Sequence, residues 1–234
     1  LLAAVEGGAE RIELCAGLAE GGLTPSLGLI RQAVKFNIPS INVLIRPRKG
    51  DFCYDPREIA LMHEEIKIAV GEGATGIVVG ALNPDGTIDA STMLELRESA
   101  PKTQFTFHRA FDLCADPFDA LQEIITLGFN TLLTSGQASN ALAGAPLLKQ
   151  LVEKAGRSIT IMAASGINAS NVEQIVDLTG VHAVHSSARR PVDSAMTFRR
   201  PDVKMGAPGD DEYSWLATSP AEVAAIIRRL STRN

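Results

Sequence analysis

The stretch FTFHRAFD (105–112) ends a run of β-favouring residues with an imidazole, a guanidinium and a carboxylate. His108 can exchange a proton near neutral pH, Arg109 can hold an anion through two parallel hydrogen bonds, and Asp112 can act as a base. These groups together predict acid–base chemistry on a small anionic molecule, if the fold brings them to an open site.

Two further candidates for this chemistry lie at the ends of other apolar runs. Glu13 belongs to RIELC (11–15), and His185 belongs to VHAVHSS (181–187). A single histidine in a β run is more often a satisfied core residue than a catalyst. Ionised groups are costly to bury without partners, however, so several of them on one face favour a polar pocket. Glu13, His108, Asp112 and His185 are therefore the candidate catalytic residues.

A second group of residues could hold the substrate. Arg46, which ends SINVLIR (40–46), and Arg109 could bind an anion. Ser135, Ser165, Gly166 and Ser186 also follow apolar runs. In parallel α/β barrels, turns at such positions often bind phosphate through backbone N–H groups.

The three cysteines, Cys15, Cys53 and Cys114, also follow or end apolar runs. Thiolates are the ligands that soft Cu(I) prefers, and Cys15 and Cys53 follow neighbouring predicted strands. The chain has no CxxC motif, however, and a free cysteine also packs as a small hydrophobic residue. An odd, small number of cysteines indicates reduced thiols in the cytosol.

The elements that must position these residues alternate along the chain. Predicted strands cover 11–15, 40–46, 76–82, 104–110, 131–136, 158–165 and 181–187. Predicted helices cover 26–36, 55–73, 90–99, 117–127, 145–155, 169–178 and 220–230, and the first residues also have helical character. Asp55-Pro56, Asp116-Pro117 and Ser219-Pro220 are helix-start signals. Gly73, Gly128, Gly156 and Gly180 are helix stops.

Repeated strand–helix units predict a parallel sheet covered by helices. Seven strands preceded by a helix indicate a (β/α)8 TIM-like barrel whose first strand is missing from this chain. An open doubly wound sheet is the alternative, but no GxGxxG or P-loop follows the first strand. We predict a single barrel domain over 1–234, with a long irregular stretch at 188–218. In a barrel, the candidate residues would meet at the carboxyl ends of the strands.

Composition excludes several function classes. The net charge of −5, the absence of a basic run and an aromatic share of 5% argue against nucleic-acid binding. No apolar run approaches the length of a membrane span. The hydrophobic share of 45% and charged share of 21% are typical of a globular enzyme or binding protein.

Several motifs closely resemble those of the CutC copper homeostasis protein family. They are GAERIELC, LAEGGLTPS, IRPRKGDFCY, TFHRAFD, LLTSGQAS and VHSSAR. The resemblance implies a (β/α)8-like barrel in the cytoplasm, with the nucleus as a second location, and a homo-oligomer (dimer or tetramer). It also implies Cu(I) as a bound ion, with Cys15 as the proposed ligand. A second proposed cysteine of the family belongs to the first strand, which is missing here.

Three hypotheses about function follow. In the first, the chain handles copper, and Cys15 with Cys53 binds Cu(I). In the second, it is an enzyme that uses Glu13 and the two histidines, while the arginines hold a phosphate- or carboxylate-bearing substrate. In the third, a barrel without a cavity serves as an assembly partner.

Overall fold

The computed structural model describes residues 1–36, 38–200, 202–203, 205 and 211–231. The strands are β1 Arg11–Leu14, β2 Ser40–Leu44, β3 Gly76–Val79, β4 Gln104–Phe107, β5 Thr131–Thr134, β6 Thr160–Ala163, β7 Ala183–Val184, β8 Arg189–Asp193 and β9 Ser214–Thr218. The helices are α1 Leu2–Glu6, α2 Leu27–Val34, α3 Pro56–Gly71, α4 Ala90–Glu98, α5 Pro117–Thr126, α6 Ala145–Ala155, α7 Val172–Thr179 and α8 Pro220–Ser231. Every predicted strand and helix is present.

Seven parallel strands form one curled sheet in the order β1 to β7, each paired with its neighbour in sequence. Helices separate consecutive strands, as parallel pairing requires. The prediction of a TIM-like α/β fold is confirmed. Within the described part of the chain, β1 and β7 are the edges of this sheet. The assignment of 1–234 to a single domain stays a prediction.

The predicted helix-start signals act as caps. The Asp55 carboxylate accepts hydrogen bonds from the N–H groups of Arg57 and Glu58, and the Glu58 carboxylate accepts one from the Asp55 N–H. Asp116 caps α5 in the same way, through two N–H groups of its first turn. These caps fix the first turns of α3 and α5, and so they fix the ends of the loops that follow β2 and β4.

Side chains alternate between the two faces of the sheet. Residues such as Ile12, Val43, Ile77 and Phe105 are buried in the main hydrophobic core, together with apolar residues of the helices. The residues between them along each strand therefore face the inside of the curled sheet.

The segment predicted to be irregular (188–218) contains an antiparallel ribbon. Strands β8 and β9 pair from Arg189–Thr218 to Asp193–Ser214. The ribbon lies between β7 and α8 in the chain, and residues 201, 204 and 206–210 of this segment lie outside the described residues. In the described part of the chain, no helix combines the length and apolar character that crossing a membrane would require.

Candidate functional site: a cavity at the carboxyl end of the sheet

Four of the predicted residues lie around one cavity. Glu13 lies on β1, Arg46 follows β2, His108 follows β4 and His185 follows β7. All four occupy inward-facing positions of the alternating pattern, and all four line a cavity of about 410 Å³ at the carboxyl end of the sheet. The apolar part of its wall includes Leu133, which packs inside the curled sheet.

His108 is buried in the cavity wall with only one of its ring nitrogens satisfied. Its side chain accepts a hydrogen bond at Nδ1 from the Ala110 N–H, at 3.2 Å, so the ring hydrogen is on Nε2. Nε2 has no partner among the described residues. Burial lowers the pKa of His108 to about 3, and the positive charge of Arg46 acts in the same direction. His108 is therefore a neutral hydrogen-bond donor at physiological pH, contrary to the expectation that it titrates near neutrality.

Gly80 provides the space for this imidazole. A Cβ atom on Gly80 would lie 2.7 Å from His108 Nδ1 and 2.8 Å from Cε1, and 3.2 Å from the Ala110 Cβ. Any larger residue would therefore displace the ring. The Nδ1–Cε1 edge of the ring therefore faces Gly80. The Phe52 ring packs against the same imidazole, with centroids 4.8 Å apart.

Arg46 is a buried cation that is held by carbonyl groups. Its Nη1 donates to the carbonyl oxygens of Glu20 (2.9 Å) and Gly22 (3.1 Å), and its Nη2 donates to that of Gly50 (3.0 Å). The guanidinium lies over the Phe52 ring, 4.9 Å from its centroid. No carboxylate of the described residues forms an ion pair with Arg46, and its Nε has no hydrogen-bond partner among them. The cavity wall thus carries a positive charge without a counterion.

Glu13 and His185 face each other across the two edges of the sheet. Glu13 Oε2 lies 3.7 Å from His185 Nδ1, and both side chains are partly buried. When the imidazole is protonated, the two form an ion pair that connects β1 with the end of β7. The structure therefore brings together Glu13 and His185, two candidate catalytic residues that lie far apart in the sequence.

Asp112 does not line the cavity. Its carboxylate accepts hydrogen bonds from Arg109 Nε (2.7 Å), Thr134 Oγ1 (2.5 Å), the N–H and hydroxyl of Ser135, and the Gln137 N–H (3.2 Å). We call these five residues the Asp112 network. A carboxylate with this many donors is an anchor for the turn after β5 and has no free lone pair for catalysis. Ser135 is fully buried and its hydroxyl is used in the same network, so neither it nor Asp112 reaches the position predicted for it.

Arg109 lines the cavity and also belongs to the Asp112 network. Its Nε bonds Asp112, and its Nη2 donates to Ser135 Oγ at 3.1 Å. Its charge is therefore already paired, in contrast to that of Arg46. Arg46 is accordingly the better of the two predicted anion-binding arginines.

Ser165, Gly166 and Ser186 line the cavity from the loops that follow β6 and β7. The hydroxyl groups of the two serines are used internally: Ser165 Oγ donates to the Ser139 carbonyl (3.1 Å), and Ser186 Oγ donates to the Ile167 carbonyl (2.6 Å). These three residues can therefore offer backbone N–H groups to a ligand.

The two predicted copper ligands lie outside the cavity lining. Cys15 follows β1 and is partly buried, while Cys53 is exposed in the loop after β2. Burial raises the pKa of Cys15 to about 11, and the charge of Glu13 adds to the effect. Burial likewise raises the pKa of Cys114 to about 11. Among the described residues, no group of three or more His, Cys, Asp or Glu side chains could hold a metal ion.

The cavity lining also contains residues that were not among the predicted site residues. Phe52 and Ser187 line the cavity, and so does Arg189, whose Nε donates to Ser187 Oγ at 3.2 Å. Arg189 could have been found, because it ends the VHSSAR motif and lies four residues after His185. Phe52 carried no such signal, since it belongs to a loop whose path the sequence pattern does not define.

Comparisons with known proteins agree with this architecture. The CutC family model matches residues 1–190. The human copper homeostasis protein cutC homolog is 45% identical over 95% of this chain and 82% of its own length. A CutC family protein of Bacteroides thetaiotaomicron is 43% identical over 99% of this chain and 94% of its own length.

This chain belongs to the CutC family. The crystal structure of the CutC protein from Streptococcus agalactiae superposes with a TM-score of 0.72 and 34% identity, covering 75% of this chain and 87% of that one. An N-(5'-phosphoribosyl)anthranilate isomerase from Pyrococcus furiosus, with a TM-score of 0.54 and 16% identity over 99% of this chain and 92% of its own, shares the fold. The recognition of the family from GAERIELC, TFHRAFD and VHSSAR is confirmed.

Proposed function

We propose that this chain functions in copper homeostasis and binds Cu(I) through the thiolate of Cys15. The observation that carries the proposal is its membership of a family in which a relative 45% identical over 95% of the chain is named a copper homeostasis protein. A cytoplasmic location, with the nucleus as a second location, and a homo-oligomeric assembly stay predictions from the same resemblance.

The chemistry of Cys15 sets the conditions for this binding. Soft Cu(I) prefers thiolate ligands, and Cys15 is the thiol that ends the RIELC strand beside Glu13. Because its pKa is raised to about 11, Cu(I) has to displace a proton from it. The affinity should therefore increase about tenfold for each pH unit in the neutral range, for each thiol that is deprotonated.

A second ligand completes the proposed site. Cys53 is the candidate, because it follows β2, the strand that pairs directly with β1. Cys53 is exposed, so its thiol is accessible to a metal ion. Cys114 follows β4, is buried and contacts Gln137 Nε2 at 3.1 Å. It therefore serves as the matched control.

A competition titration against a chromogenic Cu(I) chelator tests the proposal. The wild type should bind Cu(I) stoichiometrically and more tightly as the pH rises from 6 to 8. Cys15→Ser should lose the binding, Cys53→Ser should weaken it, and Cys114→Ser should retain it. Equal binding by the wild type and Cys15→Ser, or no competition by the wild type, would contradict the proposal. The alternative of an enzyme acting on a small anionic substrate stays a prediction.

A further inference from the structure

The cavity lining contains two sets of hydrogen-bond donors without acceptors among the described residues. Its volume of about 410 Å³ lies within the range of small-molecule binding sites. The Cu(I) proposal uses none of its lining residues. The ligand that would satisfy both sets of donors can be argued from the donors themselves.

The first set consists of backbone N–H groups in the loops after β6 and β7. Five residues of these loops line the cavity, and their N–H groups donate to no acceptor of the described chain. We call them the N–H cluster: Ser165, Gly166, Ile167, Ser186 and Ser187. Adjacent N–H groups are satisfied, since Ala164 donates to the Thr134 carbonyl and Ala188 donates to Ser186 Oγ. Grouped free N–H groups form a concave site for anions.

The charges around the cavity also favour an anion. Its lining contains Arg46, Arg109 and Arg189 against the single carboxylate of Glu13. Glu13 Oε2 lies 3.7 Å from His185 Nδ1. Arg189 lies beside the N–H cluster, because its Nε bonds the Ser187 hydroxyl. One of the three arginines of the lining therefore lies beside the N–H cluster.

The second set is the side chain of His108, which follows β4. His108 is 5% exposed, and its Nε2 has no partner among the described residues. Leaving such a buried donor unsatisfied costs free energy, and a ligand oxygen would remove that cost. Because the imidazole is neutral, it suits a carbonyl or hydroxyl oxygen as well as a charged one.

We propose that this cavity binds a small organic phosphate, with the phosphate on the N–H cluster beside Arg189 and a carbonyl or hydroxyl oxygen on His108 Nε2–H. The ligand class follows from the two sets of donors. The three terminal oxygens of a phosphate can accept hydrogen bonds from several N–H groups of the cluster, whereas the single N–H of His108 needs one oxygen atom. Binding at both ends should be stronger than binding at either end alone.

Isothermal titration with D-ribose 5-phosphate, inorganic phosphate and ribose tests the proposal on the wild-type chain. Ribose 5-phosphate should bind with a Kd below about 1 mM, inorganic phosphate about tenfold more weakly, and ribose not measurably. Absence of binding by both phosphates at about 10 mM would overturn the proposal. Binding of ribose as tight as that of ribose 5-phosphate would overturn it too.

Paired variants separate the two ends. Ser187→Asp places a carboxylate in the N–H cluster and should weaken the binding of both phosphates about tenfold or more, whereas the neutral Ser187→Asn should bind them within about threefold of wild type.

His108→Phe should weaken only the binding of ribose 5-phosphate. His108→Gln replaces it if circular dichroism shows that His108→Phe is unfolded. Equal affinities for Ser187→Asp and Ser187→Asn would place the phosphate elsewhere and overturn the assignment. Cys15→Ser should bind ribose 5-phosphate as wild type does, so this result is independent of the Cu(I) titration.

Discussion

The Asp112 network and the cavity wall around His108 and Arg46 both contain polar and charged side chains. They differ in whether the hydrogen-bonding groups of these side chains have partners within the protein. Asp112 accepts hydrogen bonds from five neighbouring donors, all within the protein. His108 Nε2 and Arg46 Nε, by contrast, are buried without an acceptor in the described chain. The two regions are adjacent, since His108 and Asp112 are joined by a single 3₁₀ turn. Polar residues with complete partners stabilise the fold, whereas those with unsatisfied donors indicate where a ligand binds.

The largest expected effect comes from breaking the Asp112 network. Asp112→Asn removes the charge that pairs with Arg109 and places an NH2 group among donors. We expect the free energy of unfolding to fall by about 3–5 kcal/mol, measured by urea denaturation.

Glu98→Gln, at the exposed end of α4, is the matched control. It should change the free energy of unfolding by less than about 0.5 kcal/mol. If the two substitutions destabilise the protein equally, the network does not anchor the turn after β5.

A smaller effect is expected at Gly80, which has no side chain and so leaves room for the His108 ring. Gly80→Ala would push a methyl group into the His108 ring, at 2.7 Å from Nδ1. We expect a loss of about 1–3 kcal/mol in the free energy of unfolding, together with weaker binding of ribose 5-phosphate.

Gly71→Ala provides the control for that substitution, because no atom lies within 4 Å of the added Cβ at the end of α3. It should leave stability unchanged or increase it by up to about 1 kcal/mol. A Gly80→Ala protein as stable as Gly71→Ala would mean that the imidazole has another position available.

The smallest expected effect is the pH dependence caused by His108. In the unfolded chain the imidazole takes up a proton near its ordinary value of 6.5, whereas in the folded protein its pKa is lowered to about 3. The unfolded state therefore binds more protons as the pH falls, and this contribution to stability, present above 6.5, is lost progressively below it. Between pH 6.5 and 5.5 we expect a loss of about 1 kcal/mol.

The measurement is urea denaturation of the wild type and His108→Phe across this pH interval. The variant should lack this part of the pH dependence. His182→Gln, which removes an exposed histidine, should keep it. Identical pH profiles for His108→Phe and the wild type would mean that the imidazole is protonated in the folded protein.

The sequence was sufficient to predict the fold because its signals are local. Asp55, Asp116 and the helix-stopping glycines mark element ends within a few residues of each other, and the alternation of strands and helices leaves few arrangements open. The same pattern brought Glu13 and His185 to the predicted rim, because strand parity decides which side chains face inward.

The state of each rim residue could not be predicted, because it depends on partners far along the chain. Most of the donors to Asp112 lie more than twenty residues away, at the end of β5 and in the turn that follows it. The neutrality of His108 depends on burial and on Arg46, which belongs to another strand. The β8–β9 ribbon was predicted to be irregular, since its two strands are separated by a long intervening segment.

The hydrogen bond from the Ala110 N–H to His108 Nδ1 has a consequence for specificity. The main-chain N–H of Ala110 selects the tautomer, so no charged neighbour is needed to keep the ring proton on Nε2. A ligand atom that contacts Nε2 therefore meets a hydrogen-bond donor and not an acceptor. Compounds that present a protonated amine at that position should accordingly be rejected, because an ammonium group has no lone pair to accept the hydrogen bond.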